Sequence, residues 1–463
     1  MGMDIIKLKD HRIRSQYQIN EAFLFSDHGS NYLLNGKNGK CLFLSDSLKQ
    51  QLLTDNVCDD FLFKLVQRGM FDDQDPLCPG NSYQPTFFLI NLTDSCNLRC
   101  LYCFRDVHEQ IRKNICTAEV RELCKEIIAY CGENSISSIS IQPWGGEPLL
   151  AFDQLVEIDN CFKSSDLNYR ISIATNATLI TPQKADILHS RNIQVGISLD
   201  GTEYLHNLHR PLKSGNGNSY ASVIDGLYNL RHAGYDQVGV ICTVSKLTVD
   251  SIPAIVHSFS HELGLRCVKM NFVKTNPFSP ISSQIAIDDA ETISRFYTTL
   301  IDSVLAVNRS GLRFYERNIC DKIKNLFGMG AGNLCSTRGC MGGRKMVALN
   351  RHGDLFPCDL VDVNEVKMGN IFGERSIPQL VKAAEESNPF FAANPDRKCD
   401  DCPWGLFCKG GCSAATIYTN NKGRQVDELE CRINTILYPM LLELAFNDPE
   451  AIRILTDNHI AIT

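Results

Sequence analysis

Between Thr86 and Val273, short runs of β-branched, aromatic and aliphatic residues alternate with longer stretches whose apolar positions recur at helical spacing. The runs are Thr86 to Thr93, Ser137 to Gln142, Arg170 to Thr175, Ile193 to Leu199, Val238 to Val244 and Cys267 to Val273, each of strand length. Between them Ala118 to Tyr130 and Ser219 to His232 read as amphipathic helices, and Thr181 followed by Pro182 is an N-cap with a first-turn proline. Strand and helix alternating six times predict a parallel sheet with crossover helices. Six units make a partial (β/α)6 barrel, so the expected fold class is α/β, with this barrel over residues 85–310. In such barrels chemistry sits at the carboxyl ends of the strands.

Before this region, apolar runs at Glu21 to Phe25, Asn31 to Leu34 and Cys41 to Leu44, with turn-rich Asn35 to Gly39 among them, predict a small antiparallel sheet. Helical patterns at Asp46 to Leu53 and Asp59 to Gly69 follow. Residues 1–84 are therefore expected to form a unit of their own, whose sheet edge beside helices suits capture of an extended peptide by strand addition. Beyond the barrel, Val347 to Asn350 and Asp354 to Pro357 flank Arg351-His352-Gly353 as a short hairpin that delivers Cys358 from its end. It belongs to an expected bridging and cysteine-rich region, 311–440, ahead of a terminal helix or tail, 441–463.

The composition narrows the class. A chain of 463 residues, 44% hydrophobic and 21% charged, exceeds what one hydrophobic core spans. A formal charge of −7 argues against a nucleic-acid partner, whose affinity is built from Lys and Arg. No apolar stretch approaches the ~18–20 residues of a membrane span, and the first fifteen residues lack the apolar core of a secretory signal, so a cytoplasmic protein without a membrane partner is expected. Ile6 stands where a myristoylation motif has Ser or Thr. The chain has 21 cysteines, an odd number that in a reducing compartment points to thiolate or metal chemistry.

Ten of them, Cys41, Cys58, Cys78, Cys116, Cys124, Cys131, Cys161, Cys242, Cys267 and Cys320, stand singly among apolar residues and read as small buried hydrophobes. Three more, Cys96, Cys100 and Cys103, lie directly after the first barrel strand in the spacing C-x3-C-x2-C. Three thiolates are one fewer than a closed 4Fe-4S cluster or a structural zinc requires, which leaves one iron open; a zinc site borrowing a distant fourth ligand is the alternative. After later strands come Gly145-Gly146-Glu147-Pro148, Thr175-Asn176-Ala177, Ser198-Leu199-Asp200-Gly201 and Arg210. On these motifs the sequence resembles the radical S-adenosylmethionine (SAM) superfamily, with its TIM-like partial barrel. The resemblance implies that Cys96, Cys100 and Cys103 hold a cluster whose open iron chelates SAM. It further implies SAM contacts by Gly145, Gly146, Glu147, Asn176, Ser198 and Arg210. Reductive cleavage of SAM would then yield a 5′-deoxyadenosyl radical. Ala177 departs from the commoner glycine.

Eight further cysteines run from Cys335 to Cys431: Cys335, Cys340, Cys358, Cys399, Cys402, Cys408, Cys412 and Cys431. Eight thiolates are two sets of four, the ligand count of two clusters without an open iron; a pair of zinc knots is the alternative. The pattern resembles the SPASM iron–sulfur domain. That resemblance implies one auxiliary 4Fe-4S cluster on Cys335, Cys340, Cys358 and Cys412 and another on Cys399, Cys402, Cys408 and Cys431, three clusters in all. It also places Asp359 where a carboxylate could take a proton during C–H oxidation, capping of the hairpin end being the other reading.

By the same resemblance the protein is an enzyme of the peptide-maturing kind, its N-terminal unit a winged-helix-like domain that binds a precursor leader. The expected reaction is hydrogen abstraction from a ribosomally made peptide, leading to a carbon–carbon, ether or thioether cross-link, with a reductant such as flavodoxin or ferredoxin. A sulfatase maturase forming formylglycine and a non-catalytic iron–sulfur electron carrier are the competing readings.

Overall fold

The computed structural model describes residues 4–14, 16–27, 30–73, 83–105, 114–215, 217–327, 333–335, 339–391, 399, 401–419 and 426–458. Cys78 lies outside them. Among the described residues the N-terminal part is a meander of β1 (Asp4–Ile13), β2 (Tyr17–Asp27), β3 (Ser30–Asn35) and β4 (Cys41–Leu44), followed by α1 (Asp46–Leu53) and α2 (Asp59–Gln67). Period-2 alternation gives this sheet two apolar faces. Leu8, Leu24, Leu33 and Leu44 pack with Leu52, Phe61 and Leu65 of the two helices. Phe23, Phe25, Tyr32 and Leu34 face the other way, into the main core.

The second sheet contains ten strands among the described residues, in the order β11-β10-β9-β8-β7-β6-β5-β12-β13-β14. Its centre is the expected six-unit barrel: β5 (Phe87–Thr93), α3 (Thr117–Glu133), β6 (Ser138–Gly145), α4 (Phe152–Lys163), β7 (Asn168–Thr175), α5 (Pro182–Ser190), β8 (Gln194–Ser198), α6 (Glu203–His209), α7 (Ser219–His232), β9 (Gly239–Val244), α8 (Ile252–His257) and β10 (Cys267–Phe272). These six strands pair in parallel. Thr181 caps α5 through the Lys184 N–H at 3.3 Å, with Pro182 in its first turn.

After α9 (Pro280–Ile285) and α10 (Ala290–Arg309), β11 (Tyr315–Glu316) adds in parallel to β10 and leads into α11 (Arg317–Leu326). The parallel sheet thus runs past the boundary expected at residue 310. At the opposite edge β12 (Met346–Leu349) pairs in parallel with β5, and β13 (Asp354–Phe356) and β14 (Gly369–Asn370) continue antiparallel. The predicted hairpin is therefore an extension of the barrel wall. Then come α12 (Ile377–Ser387), α13 (Gly405–Cys408), α14 (Ser413–Thr419), α15 (Glu428–Asn447) and α16 (Pro449–Leu455). The boundary expected at 440 falls inside α15, which Asp427 caps by accepting the Glu430 N–H at 3.1 Å.

Every second residue of the barrel strands is fully buried against the helices, among them Phe88, Ile90, Ile141, Ile173, Ile197, Val240 and Val268. Of the alternate set, Asn91, Gln142, Ser172, Ser198, Thr243, Lys269 and Asn271 are half-buried on the concave face, while Leu89 and Trp144 are buried in a separate apolar cluster. The N-terminal sheet is joined to the far end of the chain by a column of stacked rings. Phe25 stacks on Trp404 (5.1 Å, 20°) and Trp404 on Tyr438 (5.0 Å, 21°).

Candidate active site

The cysteine loop leaves β5 and is pinned from both sides. Arg99 N–H bonds the Pro211 carbonyl at 2.8 Å, Leu101 N–H the His209 carbonyl at 2.9 Å, and Lys213 N–H the Asn97 carbonyl at 2.9 Å. From the end of β6, Gly146 N–H bonds the Thr93 carbonyl at 2.8 Å and Glu147 N–H the Ser95 carbonyl at 2.9 Å. A Cβ on Gly145 would stand 2.2 Å from the Thr93 carbonyl oxygen, and one on Gly146 2.3 Å from that of Ser95. The paired glycines, expected to let backbone approach a ligand, are required here because two loops of the chain itself touch.

Glu147 is buried with three donors. Thr175 Oγ1 (2.6 Å) and Leu149 N–H (3.0 Å) reach Oε1, and Asn176 N–H (2.8 Å) reaches Oε2. Burial raises its carboxyl above the ordinary value against the pull of these donors. Asn176 Nδ2 donates to Asn97 Oδ1 at 2.9 Å and approaches Cys96 Sγ at 3.9 Å, so the ends of β6 and β7 meet the cysteine loop at one point. Ala177, in place of the commoner glycine, takes the left-handed conformation with φ 60°. Ser198 is half-buried on the concave face at the end of β8.

Arg210 is 8% exposed and gives Nε to Asp200 Oδ2 at 2.9 Å, its guanidinium 5.4 Å from the Tyr102 ring centroid. Tyr102, between Cys100 and Cys103, donates its hydroxyl to the same carboxylate, while Asp200 Oδ1 accepts Thr243 N–H at 2.8 Å. Burial alone would raise the Asp200 carboxyl, but Arg210 and His209 hold it well below the usual range. His206, pushed down to about 4 by burial, accepts Asp200 N–H through Nδ1 at 3.2 Å. Asp200 and Tyr102 were legible as strand-end and cysteine-loop residues, yet nothing in the sequence marks them as partners.

Cys96, Cys100 and Cys103 share one neighbourhood and Cys335, Cys340, Cys358 and Cys412 another, while of the remaining four Cys402 lies beside Cys399. Burial pushes Cys96 up to about 11 and Cys100 up to about 12, each within the field of Cys103. Cys340, Cys358 and Cys412 lie in one cluster with Leu89, Trp144 and Phe356, and the field of Cys335, pushed up by burial to about 12, overlaps those of Cys340 and Cys412. Cys402 N–H bonds the Cys399 carbonyl at 3.4 Å, and Cys408 abuts Glu430 and Asn434, which bracket Cys431 on α15. Burial favours the neutral thiol in these groups, so a bound cation would be needed to hold them as thiolates. Among the described residues no three His, Cys, Asp or Glu side chains stand close enough to hold a single metal ion; a cluster, whose thiolates bind different irons, asks for wider spacing. Asp359 follows Cys358 and is half-buried, within the fields of Arg105 and Lys269. Arg105 stacks 4.2 Å over Trp144 and pairs with Asp94 (2.9 Å) and Asp362 (3.2 Å), beside a cavity of about 390 Å³ also lined by Asn91, Phe278 and His352.

Of the cysteines outside these groups, Cys124, Cys131, Cys242 and Cys320 are buried as expected. Cys58 and Cys116 are exposed, a correction with a plain cause: both stand at helix N-caps, and Cys116 Sγ accepts the Glu119 N–H at 3.5 Å in a capping box.

The fold and site together are a parallel partial barrel with three thiols in the loop at the exit of its first strand, the arrangement of a barrel-type thiol-rich protein. The Radical SAM superfamily model matches residues 90–259, and the model of the SPASM iron-sulfur cluster-binding domain matches 340–403. The chain is a radical SAM enzyme with a SPASM domain; its cofactors are SAM, the SAM-binding 4Fe-4S cluster and auxiliary iron–sulfur clusters. It is similar to the cysteine-type anaerobic sulfatase-maturating enzyme of Clostridium perfringens, 24% identical over 78% of this chain and 96% of that one. It is also similar to the mycofactocin maturase MftC of Mycolicibacterium smegmatis, 24% identical over 71% and 78%. In fold it resembles anSMEcpe with bound AdoMet and the Cp18Cys peptide (TM-score 0.66, 19% identity, 79% of this chain and 100% of that). It likewise resembles Streptococcus suis SuiB bound to precursor peptide SuiA (TM-score 0.54, 16% identity, 87% and 96%). No helix among the described residues is long and apolar enough to cross a membrane.

Proposed function

We propose that the protein abstracts a hydrogen atom from a side chain or α-carbon of a ribosomally made peptide and completes the oxidation as a carbon–carbon, ether or thioether cross-link. The observation that carries this reading is the N-terminal unit: a four-stranded sheet and two helices with their own apolar core, preceding the barrel. The match to anSMEcpe takes in 79% of this chain and all of that one, which leaves about a fifth of this chain without a counterpart there. A leader-binding role for the N-terminal sheet, by strand addition at an edge, gives that unit a purpose.

In this reading the bound cluster supplies one-electron cleavage of SAM, and the chain's residues supply position. Cys96, Cys100 and Cys103 hold the cluster. Gly145, Gly146, Glu147, Asn176, Ser198 and Arg210 surround SAM, Glu147 chiefly by fixing the loop around it. Cys335, Cys340, Cys358 and Cys412 form one auxiliary set, and Cys399, Cys402, Cys408 and Cys431 the other. Asp359 takes the proton that leaves when the substrate radical is oxidised, a flavodoxin or ferredoxin serves as reductant, and the cytoplasm is the site of action. The likeness to the C. perfringens sulfatase-maturating enzyme over most of both chains favours a second reading, formylglycine formation.

Mass spectrometry of a peptide encoded beside this gene, co-expressed with the enzyme under anaerobic conditions, separates the two. Loss of two hydrogens per bond with no carbonyl that reacts with a hydrazide supports the cross-link; a hydrazide-reactive aldehyde, formed by loss of two hydrogens from Ser or by that loss together with exchange of sulfur for oxygen at Cys, supports the maturase. SAM cleavage without any peptide change overturns both.

A further inference from the structure

Lys322 stands in the interior of α11, 6% exposed, with Nζ 2.6 Å from Glu430 Oε1 and 2.6 Å from Asn434 Oδ1, both on α15. Its ammonium lies 5.6 Å from the ring centroid of buried Tyr438. The two acceptors bracket Cys431 in sequence, and both lie beside the Cys408 thiol. Burial would push the Lys322 amine down, but Glu430 holds it up, so the group stays a cation.

Such an arrangement is costly. Taking an ammonium out of water costs several kcal/mol even with a partner such as Glu430, whose side chain stays 28% exposed, and an apolar pair of similar volume would join two helices as well or better. Helix packing alone therefore does not explain a lysine here. What distinguishes the position is its company: the field of the Cys408 thiol, the two α15 residues on either side of Cys431 and the Tyr438 ring. A reduced iron–sulfur cluster carries one more negative charge than the oxidised one, and a fixed neighbouring cation stabilises that form, the more so where little water reaches it.

We propose that Lys322 is the fixed countercharge of the second auxiliary cluster, a positioning residue that raises its reduction potential and so lets it accept the electron released when the substrate radical is oxidised. The inference rests on the assignment of Cys399, Cys402, Cys408 and Cys431 as that cluster's ligands. Glu430 opposes Lys322, so the net field at the cluster is the difference between the two.

Potentiometric titration of the anaerobically reconstituted full-length chain, followed by EPR with iron and sulfide counted, tests it. In Lys322→Met the midpoint of one auxiliary signal is expected to move negative, and in Glu430→Gln it is expected to move positive. Lys322→Arg should stay near the parent, and the SAM-binding cluster should not move in any variant. If Lys322→Met fails to load, the sign of the Glu430→Gln shift decides. Full loading with unmoved midpoints in both, or shifts of the same sign, would reduce Lys322 to a structural bridge and overturn the inference. A parent chain holding fewer than three clusters would remove the ligand assignment, and the inference with it.

Discussion

Asp200 and Arg210 share a 2.9 Å hydrogen bond inside the barrel mouth, the carboxylate fully buried and the guanidinium nearly so. Because Tyr102 gives its hydroxyl to the same carboxylate, one acid from the end of β8 fixes both the cysteine loop and the arginine beside it. Removing the acid leaves a buried cation unpaired. Asp200→Ala is expected to lose about 3–5 kcal/mol in anaerobic denaturant unfolding. The double variant Asp200→Leu with Arg210→Met should recover part of that loss, and an additive result would show that the pair is not coupled.

Gly146 has room for a hydrogen and nothing larger. Gly146→Ala sets a methyl against the Ser95 carbonyl, a backbone atom that cannot swing away. A loss of about 1–3 kcal/mol is expected, with lower iron occupancy of the first site and slower SAM cleavage. Wild-type melting temperature and iron content in this variant would contradict the close approach.

The acid at the start of α11 makes stability depend on pH. Glu316 is buried, accepting Met270 N–H at 2.8 Å and Ile319 N–H at 2.7 Å, with Lys269 nearby; burial raises it from its ordinary 4.5 to about 7. Between those values the folded chain binds a proton that the unfolded chain does not. Stability therefore falls as pH rises from about 4.5 to about 7, by on the order of 3 kcal/mol, and levels off above. Glu316→Gln should flatten that slope even though one N–H partner then faces an amide NH2. Parallel slopes for parent and variant would exclude Glu316 as the source.

Replacing Cys96, Cys100 and Cys103 together by Ala should abolish formation of 5′-deoxyadenosine. Cys408→Ala should impair product formation more than SAM cleavage, measured by chromatography of both products. Equal loss of the two would assign Cys408 a folding role.

How much of this was legible in the chain follows from burial. The six barrel strands read correctly because each is a run of β-formers between helix-length stretches, and β5 to β10 differ from the expected runs by a few residues at their ends. β1 was passed over: in Asp4–Ile13 charged residues interrupt the apolar ones, as suits a strand with one exposed side. The two-residue strands β11 and β14 exist only through their partners. The cysteine groupings were visible as spacing. Asp200, Arg105 and Lys322 were not, since a charged residue acquires its meaning from what the folded chain sets against it.

The stack of Phe25 on Trp404 bears on how the enzyme can be dissected. Trp404 sits between Cys402 and Cys408, so a chain cut back to begin at Pro85 would lose the ring packed on the segment that carries those two cysteines along with the proposed recognition module. A defect in such a truncation would report damaged cofactor chemistry as readily as lost substrate capture, and point changes on the outer rim of the sheet are the cleaner instrument.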